Sequence, residues 1–410
     1  MNDAGFIKFH RYFRSLNKNS RVILGNILNG QWIKCPDYIY EFLSNCINKK
    51  YTIERMLGEC EDPNTYEYIK KFVETLIEIE VISIEGSLNS VEEKISSITI
   101  ELTTACNLNC IHCGAECDQY KREDINFDYL KKVVHWCEVN SIDHIALSGG
   151  EILVRTDIWG ILKYVRSNYS GEIEIMTNAT LLTKKNIERI VPLVNYISIS
   201  LDGYDQESVT EIRGSKVFDK VLKVIEQLHE HDFMDISLSM ILTKRTNLHR
   251  KDFEDLCSSL GVKPITRRLT PNGRADKNLD LIYPRVKGKN LHDFTGEKLN
   301  EMQRNMSFKC VCDLSSKLYL CANHEIYSCF LIIGPDYIKG TVDDLLLNRL
   351  EDVQVIPVTD RVESCKNCDV RYFCSSECPG HDNFVYNNEN IRNELCNQMY
   401  NFYSKIVWNS

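Results

Sequence analysis

The stretch Ile98-Thr-Ile-Glu-Leu-Thr-Thr-Ala-Cys106-Asn-Leu-Asn-Cys110-Ile-His-Cys113 reads as a short apolar strand that runs straight into three closely spaced cysteines. Three thiolates in so short a loop cannot complete a four-ligand structural zinc site. They suit three irons of a four-iron cluster whose fourth iron stays open. After the next apolar run comes Gly149-Gly150-Glu151. An open iron beside a carboxylate is a place to bind and reduce a small molecule.

Working outward, strands and helices alternate. The apolar runs at 98–102, 145–148, 173–177, 196–201, 236–242 and 264–269 read as strands. The stretches 127–139, 158–168, 184–191, 218–229 and 250–260 read as helices between them. Six strands with intervening helices predict an α/β fold, a parallel sheet curled into a partial (β/α)6 TIM barrel over residues 93–300. Chemistry then belongs at the C-terminal ends of the strands, where the cysteines and Gly149-Gly150-Glu151 fall. The polar stretch 274–298 reads as a linker or mobile loop.

The chain has 410 residues, is 43% apolar and 26% charged, and carries a net charge of −9. That composition fits a globular protein of two or three domains and argues against nucleic acid as a partner. No apolar run has the length of a membrane span, and the N-terminus lacks the apolar core of an export signal. A cytoplasmic location with no membrane partner is expected. Eighteen cysteines in a chain without an export signal point to metal rather than disulfides.

With Cys106, Cys110 and Cys113 in C-x3-C-x2-C spacing, Gly149-Gly150-Glu151 after the second barrel strand and Ser200-Leu-Asp202-Gly203 after the fourth, the chain resembles the radical S-adenosylmethionine (SAM) enzymes. The resemblance implies that the three cysteines ligate a [4Fe–4S] cluster and that SAM chelates its open iron. Glu151 and the Gly149-Gly150 backbone would hold the SAM amino group. His112 would pack near the adenine. Ser200 and Arg213 would meet the carboxylate, with Asp202 close by. Asn178, in a Thr-Asn-Ala where the family has Thr-Asn-Gly, is a further cofactor contact. A 5′-deoxyadenosyl radical would then abstract a substrate hydrogen. Taken alone, Glu151 reads equally as a helix-start carboxylate, Arg213 as a surface cation, and Ser200 with Asp202 as loop caps. Cys117, just beyond the loop, is the one candidate for a catalytic thiol.

The C-terminal cysteines carry a second resemblance. Cys365, Cys368, Cys374 and Cys378 have C-x2-C-x5-C-x3-C spacing, with Cys396 beyond. This resembles the SPASM extension of radical SAM enzymes, placed at 301–410. It implies two auxiliary [4Fe–4S] clusters, making three in all. One is held by Cys365, Cys368, Cys374 and Cys396. Cys378, Cys329 and Cys312 share the other, with Cys310 favoured over Cys321 as the fourth ligand. The glycine usual before Cys329 is His324, so the turn there is expected to differ. A zinc ribbon on Cys365, Cys368, Cys374 and Cys378 is the alternative. Pro271-Asn-Gly273-Arg274-Ala275 also matches a stretch of this branch, or is a bare turn.

Residues 1–92 combine paired strands around Asn29-Gly30 with three helical stretches, a winged-helix-like α+β pattern. They resemble the RiPP recognition element (PqqD-like), which binds leader peptides of ribosomally made, modified peptides. Such a module captures peptide by strand addition. Lys8, Arg11, Arg14, Lys18 and Arg21 would favour an acidic leader. DNA binding is disfavoured by eleven Lys and Arg against twelve Asp and Glu over 1–90. The three resemblances together imply a maturase that installs a thioether or carbon–carbon crosslink in a precursor peptide, served by an electron donor such as flavodoxin or ferredoxin. The alternatives are a maturase of folded proteins, of the sulfatase-activating kind, and a non-catalytic iron–sulfur sensor of peptides.

Overall fold

The structure is a computed structural model that describes residues 5–85, 94–120, 122–283, 297–312, 314–353, 356–376 and 378–408. The chain divides into two units. One comprises Met1–Glu93, Val286–Asp313 and Val355–Ser410, the other Lys94–Arg285 and Leu314–Gln354. Three successive domains are expected from sequence. The fold instead groups both ends of the chain, and moves 314–354 out of the cysteine-rich C-terminal region.

In the first unit β1 (Ile7–Phe9), β2 (Phe13–Lys18), β3 (Arg21–Asn26) and β4 (Trp32–Pro36) precede α1 (Asp37–Asn48), α2 (Ile53–Leu57), α3 (Pro63–Glu78) and β5 (Ile82–Ile84). β2, β3 and β4 form an antiparallel sheet, and β1 pairs with β5. The hairpin turn lies where Asn29-Gly30 places it, with Gly30 at φ 81°. Asp62 caps α3 by accepting from the N–H groups of Asn64 and Thr65, both at 3.0 Å.

The unbroken apolar run in β3 has a physical reason. Val22 and Leu24 face a core shared with Ile39, Leu43, Phe72 and Leu76 of the helices. Ile23, facing the other way, joins Leu16, Ile27, Phe308, Cys310, Tyr372, Phe373 and Val407. A strand buried on both faces does not alternate. Phe308 lies so close to β3 that a Cβ on Gly25 would sit 2.5 Å from its ring. Backbone bonds fasten this segment, Phe308 N–H to Gly30 O at 2.8 Å and Cys310 N–H to Ile27 O at 3.0 Å. The basic residues of β2 are already engaged: Arg14 meets Asp360 at 3.3 Å and Lys18 meets Asp369 at 2.8 Å. They are therefore not a free row awaiting acidic peptide.

In the second unit β6 (Ser97–Glu101), α4 (Phe127–Val139), β7 (His144–Ser148), α5 (Ile158–Asn168), β8 (Glu172–Thr177), α6 (Lys184–Ile190) and β9 (Tyr196–Ser200) follow in turn. Next come α7 (Gln206–Arg213), α8 (Val217–Glu230), β10 (Ile236–Leu242), α9 (Arg250–Ser259) and β11 (Lys263–Arg268). The six strands are parallel neighbours in sequence order, as expected. The sheet continues beyond β6 through β12 (Lys317–Leu320), which pairs parallel to it, and then antiparallel β13 (Glu325–Tyr327) and β14 (Gly340–Thr341). It stays open, ending at β11 and β14. Among the described residues no helix is long and apolar enough to cross a membrane.

One parity of each strand feeds the core beneath the helices: Ile98 and Ile100, Ile145 and Leu147, Ile173 and Ile175, Ile197 and Ile199. The other parity is polar. There His144 meets Glu174 at 3.1 Å and Ser237 bonds Ser198 at 3.2 Å. An inner face of this kind resists being packed dry and suits a chamber. His324 takes the turn between β12 and β13 at φ 72°, its N–H bonding Cys321 O at 3.0 Å. The tight turn is thus kept although histidine stands where glycine is expected, at a steric cost of about 1 kcal/mol.

Candidate functional site

The cysteine loop leaves β6 and is held against the β7 turn by backbone pairing. Gly150 N–H bonds Thr103 O at 2.7 Å, and Glu151 N–H bonds Ala105 O at 2.9 Å. A Cβ on Gly149 would stand 2.3 Å from Thr103 O, and one on Gly150 2.2 Å from Ala105 O. Two glycines are required because two backbones touch there.

Glu151 is completely buried. Its carboxylate accepts from Thr177 Oγ1 at 2.8 Å, Asn178 N–H at 2.7 Å and Leu153 N–H at 3.1 Å. Burial raises its pKa, and these bonds oppose the rise. The carboxylate braces the β7 and β8 ends, and its remaining acceptor capacity is compatible with the amine contact expected from sequence. Asn178, braced in this way, reaches Asn107 at 2.9 Å and approaches Cys106 Sγ at 3.9 Å. Ala179 beside it adopts φ 59°, so the glycine-like geometry of that turn persists.

On the other flank, Asp202 is 1% exposed. It accepts from Arg213 Nε at 2.7 Å and from Ile241 N–H at 2.8 Å, and stands 2.8 Å from His112 Nε2. Burial alone would raise its pKa, but Arg213 and His112 hold it well below the usual carboxylate range. Arg213 also approaches Cys110 Sγ at 3.8 Å. The network leaves His112 Nδ1 buried without a partner. Ser200 stands half-exposed at the end of β9 opposite Ser239, outside this network. Helix α7, which delivers Arg213, is absent from the sequence reading. Its start is set by a capping box of Asp205 with Ser208.

Burial pushes the Cys106 thiol up to about 11 and raises Cys110 as well. Cys113 is held down by a hydrogen bond from the Cys117 thiol, which is itself driven up by that bond and by burial. Cys117 is 3% exposed. It is tucked beneath the loop, so the structure does not present it as an open nucleophile. Among the described residues no three His, Cys, Asp or Glu side chains converge closely enough for one metal ion.

Residues 100–258 match the radical SAM superfamily. This segment is similar to radical SAM enzymes. Such a domain works with SAM and a [4Fe–4S] cluster, and the donor set fits. Three thiols lie on one loop, a sulfur-directed amide and guanidinium flank them, and the orphaned His112 Nδ1 awaits a partner. Among curated proteins, the mycofactocin maturase MftC of Mycolicibacterium smegmatis is 25% identical over 263 residues, 60% of this chain and 67% of that protein. The AdoMet-dependent heme synthase of Methanosarcina barkeri is 34% identical over 225 residues, 52% of this chain and 61% of that one. Only 48% of the length of MftC from Mycobacterium tuberculosis is matched, so the chain spans about half to two thirds of these curated relatives. Among solved structures, Streptococcus suis SuiB bound to S-adenosylmethionine aligns with a TM-score of 0.48 and 15% identity, over 90% of this chain and 95% of that one.

Outside the radical SAM domain, Cys365, Cys368, Cys374 and Cys396 are electrostatic neighbours of one another. This is the set expected for one auxiliary cluster. The other expected ligands are more scattered in environment. Cys310 is sealed among Phe308, Tyr372 and Phe373, where burial raises its thiol well above the ordinary value. Cys321 packs with Tyr319 and Tyr327. Cys329 Sγ accepts from Leu331 N–H at 3.5 Å, and Cys312 and Cys378 are half-buried.

The sequence reading misses Glu101. It ends β6 on the inner face, 8% exposed, accepting from Ala322 N–H at 3.1 Å and lying 3.5 Å from the Tyr319 hydroxyl. A lone acid in an apolar strand was the available signal. Burial raises its pKa, so its charged form weakens the fold at pH values above the folded pKa. That penalty fades as pH falls through the folded pKa and is gone below the unfolded one. Glu101→Gln should therefore raise Tm relative to wild type at pH 8, with the difference shrinking toward pH 5. Equal shifts at both pH values would refute this assignment.

Proposed function

We propose that this protein is a radical SAM maturase that crosslinks a ribosomally synthesised precursor peptide in the cytoplasm. Cys106, Cys110 and Cys113 hold the cluster to which SAM binds. When bound, this pair supplies one-electron cleavage of SAM to a 5′-deoxyadenosyl radical that takes hydrogen from substrate. The chain's own groups bind and orient. Glu151 and the Gly149-Gly150 backbone would hold the amino group of SAM. His112, steered by Asp202, turns Nδ1 to the adenine. Arg213 balances negative charge near Cys110, and Asn178 fixes the Cys106 side of the loop. Ser200 is the remaining candidate for the SAM carboxylate.

The observation that carries the peptide reading is within the first unit. One unit contains both an open-edged sheet and four cysteines that are electrostatic neighbours. Among the described residues β4 pairs only with β3, leaving an edge for strand addition. Tyr38 and Tyr68 stand exposed on α1 and α3, in the neighbourhood of Cys35 on β4. With Arg14 and Lys18 bound to acids, selection rests on backbone pairing and aromatic contact more than on a basic row. Residues 1–92 then act as a PqqD-like RiPP recognition element. Cys365, Cys368, Cys374 and Cys396 hold an auxiliary [4Fe–4S] cluster of a SPASM region, and a third cluster rests on cysteine spacing alone. Thioether formation is the leading bond type, with a carbon–carbon link as the other. Auxiliary clusters held by these cysteines would offer an exit for the electron released on crosslinking, and a flavodoxin or ferredoxin would supply the activating electron.

The test uses precursor peptides with and without their leader. Removing the leader should weaken binding to the full chain at least about tenfold, roughly 1.4 kcal/mol, and turnover should fall with it. Unchanged binding and turnover of the core peptide would remove the recognition role of residues 1–92.

A further inference from the structure

Residues 284–296 of the stretch read as a linker or mobile loop lie outside the described residues, but its start, the turn after β11, is structured. It continues into α10 (Arg274–Lys277) and α11 (Leu279–Ile282), and these grip the cysteine loop. Arg274 donates three hydrogen bonds to it: backbone N–H to Cys113 O at 3.0 Å, Nε to Cys110 O at 2.8 Å, and an Nη to Cys117 O at 2.8 Å. Asn278 Nδ2 adds a fourth, to Ile111 O at 3.0 Å. Lys277 pairs with Glu116. Gly273 sits at φ 57°, and a Cβ there would lie 2.6 Å from Gly114 O and 2.8 Å from Cys113 O. Below, Ile111 packs on Ile212, Leu269, Ala275 and Ile282.

We propose that Arg274 is a positioning residue for the cluster. It fixes two of the three cluster cysteines, Cys110 and Cys113, and the adjoining Cys117 through their backbone carbonyls, and its charge favours the reduced form of the bound [4Fe–4S] cluster. This rests on Cys106, Cys110 and Cys113 being the cluster ligands. Reduction adds one negative charge at the cluster, and net charge in the surroundings sets the potential of such centres. A guanidinium keeps its charge at any working pH. Arg213, the other cation of the site, is matched by Asp202. Arg274 meets only carbonyl oxygens, and among the described residues no carboxylate lies within ion-pair distance of it. Its planar fork can span two carbonyls at once, which a lysine ammonium on a flexible stem cannot do in the same geometry.

The test uses the full chain, reconstituted anaerobically as wild type, Arg274→Lys and Arg274→Gln. Iron and sulfide content, cluster lifetime under a chelator and the midpoint of the SAM-responsive EPR signal are measured. Arg274→Gln should shift the oxidised-to-reduced ratio about tenfold toward oxidised, a midpoint lower by about 59 mV. Arg274→Lys should keep the wild-type midpoint but lose its cluster faster. A wild-type midpoint and lifetime in Arg274→Gln would overturn the proposal. If Arg274→Gln retains no iron, Arg274→Lys decides: a wild-type lifetime there overturns the clamp, and a shortened one supports it. Failure of the underlying cluster assignment is distinguishable, because wild-type protein would then hold as much iron as a variant lacking all three loop cysteines.

Discussion

Replacing Cys106, Cys110 and Cys113 together by alanine should abolish reductive cleavage of SAM to 5′-deoxyadenosine. The loss expected is at least about three orders of magnitude, roughly 4 kcal/mol at the transition state. The physical reason is that no other donor can take over. Glu151 and Asp202 are both committed to internal bonds, and Cys117 is buried on the far side of its bond to Cys113. Iron should fall by about one cluster, because Cys365, Cys368, Cys374 and Cys396 are untouched. A triple variant that retains wild-type iron, or that still forms 5′-deoxyadenosine in the presence of peptide, would remove the basis of the proposed function.

Replacing Asp202 by asparagine should be the most damaging single change to stability in the radical SAM domain. Among the described residues it removes the only carboxylate paired with Arg213, whose side chain is 10% exposed. Breaking such a buried pair from one side costs about 3–5 kcal/mol. At 2–4 °C per kcal/mol for a unit of this size, Tm should drop by roughly 10 °C. The pH dependence has a definite sign. The folded pKa of Asp202 is depressed by Arg213 and His112, so its contribution is complete above the unfolded carboxylate value of about 3.9 and is lost only as pH falls through the folded value. The deficit of Asp202→Asn should thus be constant from pH 5 to 8. Adding Arg213→Met should restore part of it, since an apolar pair leaves no buried charge. A loss below about 1 kcal/mol at pH 7 would show that the pair is incidental.

Much of the radical SAM domain was legible because its signals are local. The strand at 236–242 and the helices at 127–139 and 158–168 fall where apolar periodicity puts them. Gly149 and Gly150 are needed where two backbones touch, and Asn29-Gly30 makes its turn. What was misread has a common cause. α7 is polar along most of its length, so no apolar stripe announces it, and its evidence is the Asp205–Ser208 cap. The 274–283 segment has loop composition, yet its polar groups are satisfied by the carbonyls of the cysteine loop.

The order of strands, the cysteine spacings and the places where glycine is forced are written in the amino-acid sequence, because they depend on neighbours a few residues away. The tertiary structure alone decided that β12 joins β6, that Phe308 lies on β3, and that Arg274 closes on Cys110, Cys113 and Cys117. It also decided that Glu101 faces inward. In each of these cases a buried polar group or apolar surface is satisfied by a partner far along the chain, and pairing of that kind leaves no periodic trace.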